Sequence, residues 1–138
     1  MSALDVPPLK LIDAAAAELE KEGKLKPPAW VGLVKSGAHA ERVPTDSKFW
    51  FKRAASLLRT LYASGKSVGV ERLRHKYGGR KEHNVSRPHH TKAGGKTIRV
   101  CFQQLEAAGL VRKEKAGGRV MTPAGVSFLD KCAKQAGA

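Results

Sequence analysis

The clearest hydrophobic pattern in the chain lies in residues 47–64. On a helical wheel, the apolar side chains of this segment form one continuous arc a little under half of the circumference wide. They are Trp50, Phe51, Ala54, Ala55, Leu57, Leu58, Leu61 and Tyr62. An arc of this width is typical of a helix that neighbours bury on more than one side. Because Gly65 follows and can end a helix, we predict a central helix around which the fold is organised.

The opposite face of this helix carries only positive charge. Its charged residues are Lys48, Lys52, Arg53 and Arg59. A solvated helix face usually mixes both signs, since oppositely charged pairs one turn apart stabilise it. Phe49 falls within this cationic arc, which leaves two interpretations. Either a loop or the N-terminal helix covers Phe49, or its ring is a stacking surface for single-stranded nucleic acid.

Shorter patterns predict the remaining elements. Helices are expected at residues 9–22, 29–36, 70–76, 96–108 and from 123 to about 134, with residues 1–8 as a loose lead-in and His39 as a plain loop residue. The side chains expected to face inward are Leu9, Ile12, Ala15, Ala16, Leu19, Trp30, Leu33, Val34, Val70, Leu73, Ile98, Cys101, Phe102, Leu105, Val126, Leu129 and Cys132. Two short runs flank Ala116, Gly117 and Gly118, which is typical of a β-hairpin.

Residues 78–95 have no hydrophobic periodicity. Four glycines, three histidines and four basic residues accompany one acid, Glu82. We expect a loop that is mobile alone and ordered against a phosphate backbone. The fold class predicted is therefore mainly α: a helical domain around a central amphipathic helix, winged-helix-like, with one small β-hairpin. Residues 1–138 are expected to form a single domain, with its winged-helix-like part at about 47–122 and a basic insertion at 78–95.

The charge distribution indicates a polyanionic partner. The chain has 26 Lys and Arg against 12 Asp and Glu, a net charge of +14. Residues 1–40 are balanced, whereas residues 41–100 contain fifteen basic and four acidic side chains. Such a one-sided cationic region favours nucleic acid over a membrane, because no basic helix here has a large bare apolar face. With no signal pattern and no long apolar run, we expect a soluble, intracellular protein.

Candidate catalytic and metal chemistry is weak. Residues 93–97 (AGGKT) resemble the end of a phosphate-binding loop, but His90 stands where the pattern requires glycine. The histidines at positions 75, 83, 89 and 90 have no cysteine at zinc-finger spacing, so we expect no metal site. Cys101 and Cys132 fall on apolar helix positions and are interpreted as small hydrophobic residues in a reducing compartment. Acids are too few for a metal-dependent nuclease, and we predict no enzyme activity and no cofactor.

Several stretches together resemble one protein family. They are Gly23-Lys24-Leu25-Lys26 with Pro28 and Trp30, Val34-Lys35, the run from Phe49 to Ser56 (FWFKRAAS), Leu61-Tyr62, Val68-Gly69-Val70, Tyr77-Gly78-Gly79-Arg80, Gln104-Leu105-Glu106, Gly117-Gly118-Arg119 and Thr122-Pro123. In this order they resemble the eukaryotic and archaeal type of ribosomal protein nineteen of the small subunit, the S-nineteen-e family. The short N-terminus and the lack of a lysine-rich tail are more similar to its archaeal branch.

The resemblance implies a non-enzymatic ribosomal protein on the head of the small subunit, where the family binds the 3′ domain of small-subunit rRNA. It also implies a role in late subunit maturation. Basic family positions correspond to Arg53, Arg59 and Arg99. This chain has Phe49 where the family often has tryptophan and Trp50 one place later, which leaves open which ring faces RNA.

Charge and resemblance together give one hypothesis, a clamp on structured rRNA through three cationic surfaces. These are the outer face of the central helix, the basic insertion at 78–95, and the helix at 96–108 with the hairpin that follows it. The expected RNA-binding residues are Lys48, Phe49, Lys52, Arg53, Arg59, Arg74, Arg80, Lys81, Arg87, Lys92, Lys96, Arg99 and Arg119. Expected partners are small-subunit rRNA and other small-subunit head proteins, with no small-molecule substrate and no membrane. We expect a monomer when free and a cytoplasmic location, in the ribosome.

A winged-helix transcriptional regulator is the alternative. The residues 105–111 (LEAAGLV), the hairpin and residues 122–125 (TPAG) are also typical of such DNA-binding proteins. The insertion would displace the DNA-reading helix, and no long apolar helix is free for dimerisation, which palindromic operators require. A stable dimer that protects one DNA sequence would favour the regulator.

Overall fold

A computed structural model describes residues 2–137 of the chain. After a short 3-10 turn at Ala3–Asp5, its elements are α1 (Pro8–Glu22), α2 (Phe49–Ser64), α3 (Val70–Tyr77), β1 (Gly79–Lys81), β2 (His89–Thr91), α4 (Gly95–Ala107), β3 (Val111–Lys113), β4 (Arg119–Met121) and α5 (Pro123–Gly137). The prediction of a mainly α fold is confirmed, with two small hairpins instead of one.

The central helix is confirmed as α2. Its predicted apolar arc is buried, apart from Tyr62 at the edge, and α1, α4 and α5 pack around it. Gly65 ends the helix in the left-handed conformation, with φ of 66° and its N–H donated to the Leu61 carbonyl. Burial on several sides follows from an apolar arc that is wider than one neighbour can cover.

The first residues are anchored, so the prediction of a loose lead-in is wrong. Ala3 is fully buried, and its N–H donates to the Asp130 carboxylate of α5 at 3.2 Å. Tyr62 of α2 donates to the same carboxylate oxygen at 2.9 Å, and its hydroxyl lies 3.1 Å from Ser2 Oγ. One acid of α5 therefore joins the start of the chain to the central helix.

The second half of the fold has the predicted winged-helix order of α2, α3, α4 and then the β3–β4 hairpin. β3 and β4 pair antiparallel, with Val111 opposite Met121 and Lys113 opposite Arg119. Val68, before α3, exchanges both backbone hydrogen bonds with Arg119, at 2.9 and 3.0 Å. The wing is therefore fixed to the segment between α2 and α3.

The insertion contains a second hairpin that the sequence pattern did not predict. β1 and β2 pair antiparallel, with Gly79 opposite Thr91 and Lys81 opposite His89. Gly78 permits the close approach of the two strands, because a Cβ there would lie against the Thr91 carbonyl oxygen. The expectation that residues 78–95 form only a loop is therefore wrong. The pattern did not show the hairpin because strand pairing uses backbone groups and needs no buried apolar face.

Residues 29–36 form successive turns and no helix. Gly32 has a φ of 89°, and the bonds Val31 N–H to Pro28 and Leu33 N–H to Trp30 span three residues each. Leu33 is 78% exposed and Val34 46%, so the segment has no inward apolar stripe to stabilise a helix. Trp30 packs against the core, as predicted, and so does Val31.

Two further inward assignments are wrong at helix edges. Leu9 is 77% exposed while Leu11 is fully buried, and Val126 is 37% exposed while Phe128 is buried. Both cysteines are buried and free. Burial raises the pKa of Cys101 to about 12, which agrees with its interpretation as a small hydrophobic residue. Across residues 2–137, no helix has the length and apolarity needed to cross a bilayer.

Candidate nucleic-acid interface

The side of α2 that faces α1 carries paired lysines. Lys52 Nζ lies 2.7 Å from Asp46 and 3.9 Å from Asp13, and Lys48 Nζ lies 3.6 Å from Glu20. The hydrogen bond from Lys52 lowers the pKa of Asp46, and the same bond raises the pKa of Lys52. We call Lys48 and Lys52 with these three acids the paired face. Its lysines are partly neutralised before any partner arrives.

The side of α2 that faces α3 carries arginine between aromatic rings. The Arg53 guanidinium carbon lies 4.2 Å from the ring centroid of Tyr77 and 5.1 Å from that of Phe49. Burial lowers the pKa of Arg53. Cation–π contacts stabilise its positive charge. No carboxylate in residues 2–137 lies within ion-pair distance of it.

The same side continues toward the C-terminal end of α2. Lys76 of α3 donates from Nζ to Thr60 Oγ1 at 2.5 Å, and the Ser56 and Tyr77 hydroxyls lie 2.6 Å apart. Burial, and next to it the neighbouring Arg59, lowers the pKa of Lys76. We call Phe49, Arg53, Arg59, Lys76 and Tyr77 the arginine seam.

Arg59 is the most unusual member of the arginine seam. Its Nε is buried and has no hydrogen-bond acceptor within the part of the chain that the structure describes. A buried donor without an acceptor is costly and rare, and a bound water, ion or ligand group is one explanation for it. An oxygen acceptor such as a phosphate can pair with this atom only after the side chain moves, because the atom has no exposed surface here.

Burial distinguishes the two aromatic rings at the start of α2. Trp50 is fully buried and donates from Nε1 to Gln104 Oε1 at 2.8 Å. Gln104 in turn donates to the Lys26 carbonyl at 2.8 Å. Phe49 is partly exposed beside Arg53, so Trp50 belongs to the core and Phe49 is the one of the two rings that reaches the surface.

Arg74 and Lys92, both predicted RNA contacts, share one acid. Arg74 Nη1 lies 2.7 Å from Glu71 Oε1, and Lys92 Nζ lies 2.9 Å from Glu71 Oε2. These two hydrogen bonds, that of Lys92 first, lower the pKa of Glu71 to about 2. Arg74 also donates from Nε to the Ala93 carbonyl at 2.8 Å. These residues therefore tie α3 to the chain that follows β2.

The β1–β2 hairpin presents exposed cations and paired histidines. Arg80, Lys81 and Arg87 are all exposed. His90 stacks on His75 of α3 with ring centroids 4.3 Å apart, and its Nε2 lies 3.1 Å from the His75 carbonyl oxygen. The histidine contacts set the hairpin beside the C-terminal end of α3, next to Lys76. Since β1 begins at Gly79, two residues after Tyr77, the hairpin starts beside one end of the arginine seam.

His39 is not the plain loop residue that was expected. It is partly buried against Gly79, where a Cβ would lie 2.9 Å from its ring. Its Nδ1 is buried and has no hydrogen-bond partner within residues 2–137. The loop that carries His39 thus supports the base of the β1–β2 hairpin.

α4 and the wing hold the last predicted contacts. Lys96 Nζ lies 5.5 Å from the Trp30 ring centroid, and Arg99 is exposed one turn further along α4. Arg119 of β4 is different, because its Nε lies 2.7 Å from Glu106 and its side chain is only 15% exposed. Its guanidinium carbon also lies 5.2 Å from the Phe102 ring centroid, so Arg119 joins the wing to α4.

The structure thus divides the predicted contacts into two groups. Residues without an acid in ion-pair range, within residues 2–137, are Arg53, Arg59, Arg80, Lys81, Arg87, Lys96 and Arg99. Those with an acid are Lys48, Lys52, Arg74, Lys92 and Arg119. Sequence reasoning missed Lys76 and Tyr77, although their place at the end of a basic helix was a signal. The described residues contain no group of three or more His, Cys, Asp or Glu side chains arranged for a metal.

Comparisons with known proteins agree on one family. The family model of ribosomal protein S19e matches residues 2–138. The small ribosomal subunit protein eS19 of Aeropyrum pernix is 47% identical over 136 residues, which cover 98% of this chain and 89% of that protein. The protein of the same name from Thermoplasma volcanium is 39% identical over 131 residues, or 94% of this chain and 85% of the other.

Proposed function

Because this chain belongs to the ribosomal protein S19e family, we propose that it binds the 3′ (head) domain of small-subunit rRNA as a structural component of the small ribosomal subunit. In this role it supports assembly and maturation of the subunit and translation. The protein acts on no small molecule, carries no cofactor and catalyses no reaction. It works as a single ribosomal-protein domain over residues 1–138, in contact with other head proteins.

The observation that carries this proposal is the arginine seam. Arg59 has a buried donor without an acceptor, and Arg53 is held between Phe49 and Tyr77. Guanidinium groups bind phosphate oxygens through directed, charge-assisted hydrogen bonds. A phosphate of the RNA backbone placed here would accept the bond that Arg59 Nε lacks in the free protein.

The recognition proposed is mainly of RNA shape. The arginine seam, the β1–β2 hairpin and the exposed face of α4 supply cations from three different elements, so they suit a folded RNA better than a single straight strand. If six to ten phosphates are neutralised, affinity should fall by roughly 10³- to 10⁵-fold between 50 and 200 mM salt. An affinity independent of salt would contradict the proposal.

Sedimentation of the native protein tests the proposal. A lysate of the source organism is fractionated on a sucrose gradient at moderate salt and probed for this protein. We expect it in the small-subunit fraction at near one copy per particle, in the cytoplasm, and as a monomer when it is stripped from the particle.

A second result would favour the regulator considered from the sequence. In that case the protein stays at the top of the gradient as a stable dimer and protects one DNA sequence. The family model of ribosomal protein S19e matches residues 2–138, which favours the ribosomal role over the regulator. We therefore do not adopt the regulator.

A further inference from the structure

A recess beside the start of α4 has a different chemistry from the arginine seam. It measures about 300 Å³, and its walls come from two segments that are distant in sequence. The lining residues are Trp30, Val34, Lys35, Gly94, Lys96 and Thr97. The Gly94 N–H donates to the Ser36 carbonyl at 2.8 Å, which holds the two walls together.

The lining combines an apolar floor with cations and contains no acid. Trp30 and Val34 provide the apolar surface, and Lys35 and Lys96 provide the positive charge. Three other recesses on the described surface differ from it. One includes Glu41 and Glu82, one includes Asp13, and one, between α2, β4 and α5, has no charged residue. Charge and apolarity thus occur together, without a carboxylate, beside α4.

The floor of the recess is pre-organised. The Trp30 ring meets the buried Trp50 ring edge to face, with centroids 5.7 Å apart and an interplanar angle of 86°. Trp50 is itself fixed by its hydrogen bond to Gln104. A surface that does not have to be ordered on binding keeps more of its contact energy as affinity.

We propose that this recess receives one unpaired nucleotide of the bound RNA. The base lies against Trp30 and Val34, and the adjoining phosphate lies near Lys35 and Lys96. Every base has an apolar face and every nucleotide carries a phosphate, which matches a lining of this composition. The recess continues the cationic surface, since Lys96 and Arg99 are one turn apart on α4. The inference rests on the proposed RNA-binding function.

Two matched variants test the inference. Val34 lines the recess and Leu33 does not, yet both are exposed and adjacent. Val34→Asp and Leu33→Asp make the same charge change without disturbing the core. Each full-length variant is titrated against a transcript of the 3′ domain of small-subunit rRNA from the same organism, and each nucleotide of the transcript is probed by 2′-hydroxyl acylation with and without protein.

We expect Val34→Asp to bind the transcript roughly 5- to 150-fold more weakly than the unmodified chain, the range expected when one base can no longer stack. Leu33→Asp should stay within about threefold, because a single exposed charge has a small effect. One unpaired nucleotide should be protected from acylation by the unmodified chain and by Leu33→Asp, and not by Val34→Asp.

Each other outcome overturns the inference. Equal effects of the two variants, or no protected unpaired nucleotide, would show that the recess is not a nucleotide site, while the proposed function would stand. If Val34→Asp bound the transcript normally but failed to enter subunits, the occupant would be a protein. If the unmodified chain did not bind the transcript at all, the proposed function itself would fail.

Discussion

The two sides of α2 carry cations that the sequence does not distinguish. On the side toward α1, Lys48 and Lys52 contact acids at 2.7 to 3.9 Å. On the side toward α3, Arg53 contacts aromatic rings, and Arg59 Nε has no acceptor within residues 2–137. The comparison shows that the pattern of charges on one helix does not reveal which of its cations are paired with acids. That depends on whether the neighbouring elements supply counter-charges.

The difference has a simple physical basis. An exposed lysine paired with an acid gains little from a phosphate, because its present partner must first be displaced. An unpaired guanidinium in a half-buried place has already lost part of its hydration and gains the full charge-assisted bond. RNA affinity should therefore depend on the arginine seam and scarcely on the paired face.

The largest expected effect separates the inner face of α2 from both outer sides. Leu58 is fully buried, so Leu58→Ala should lower the free energy of unfolding by roughly 2–5 kcal/mol, because it removes apolar packing and leaves a cavity. Arg59→Gln should change it much less, because the substitution removes no apolar packing from the core and takes away a buried donor that lacks an acceptor. Denaturant titration measures both, and equal losses would contradict the division of α2 into core and binding faces.

Next in size is the loss of both seam arginines. Arg53→Gln with Arg59→Gln should weaken binding to the rRNA transcript by roughly 10- to 100-fold, since each charged hydrogen bond removed costs ~1.5–3 kcal/mol and neighbouring losses do not add fully. Arg53→Gln should also lower stability by ~0.5–1 kcal/mol, because it removes the cation–π interactions. Circular dichroism before the titration checks that the variant is folded; an unchanged affinity would argue against the seam.

A smaller effect should follow when the paired face is unmasked. Asp13→Asn with Asp46→Asn removes the carboxylates that contact Lys52. RNA affinity should then rise a few-fold, as the lysine becomes available to phosphate. Filter binding measures the change. Lys52→Gln should reverse the gain in affinity when it is added to the double variant, and should have no effect in the unmodified chain. That result would show that ion pairing keeps Lys52 from contributing to RNA affinity.

The smallest effect concerns pH. The pKa of Glu71 falls from its ordinary 4.5 to about 2 in the folded chain, so its bonds to Lys92 and Arg74 stabilise the fold above pH 4.5 and are lost as the pH falls through about 2. Glu71→Gln should therefore be slightly less stable than the unmodified chain near neutral pH, and the difference should shrink over that acidic interval. Urea titrations at several pH values would measure it. A constant difference would contradict this role of Glu71.

The sequence predicted the parts of the fold that depend on a one-sided apolar pattern. The arc of α2 and the inner face of α4, with Ile98, Cys101, Phe102 and Leu105, are buried as expected. The helix predicted at residues 29–36 does not form, because Gly32 takes a left-handed conformation and Leu33 stays exposed. A count of apolar residues does not reveal either property. The β1–β2 hairpin was missed because its strands have no buried face.

The sequence predicted which basic residues the site contains, but not which of them form ion pairs with acids. Arg53 and Arg59 were identified from charge and family resemblance. The acids that form ion pairs with Lys48 and Lys52, however, include Glu20 and Asp13 of α1, which are far away in sequence. Only packing of α1 on α2 brings them together. The recess at Trp30 also depends on tertiary packing, because it forms where residues 30–36 lie against the start of α4.

The most direct test of the account is the salt dependence of rRNA binding by two charge-matched variants of α2. One carries Arg53→Gln and Arg59→Gln, and the other carries Lys48→Gln and Lys52→Gln. The slope of log affinity against log salt should decrease by about 2 in the arginine variant, because each arginine neutralises one phosphate, and by less than about 0.5 in the lysine variant. Equal decreases, or a larger one in the lysine variant, would contradict the claim that the arginine seam binds the RNA.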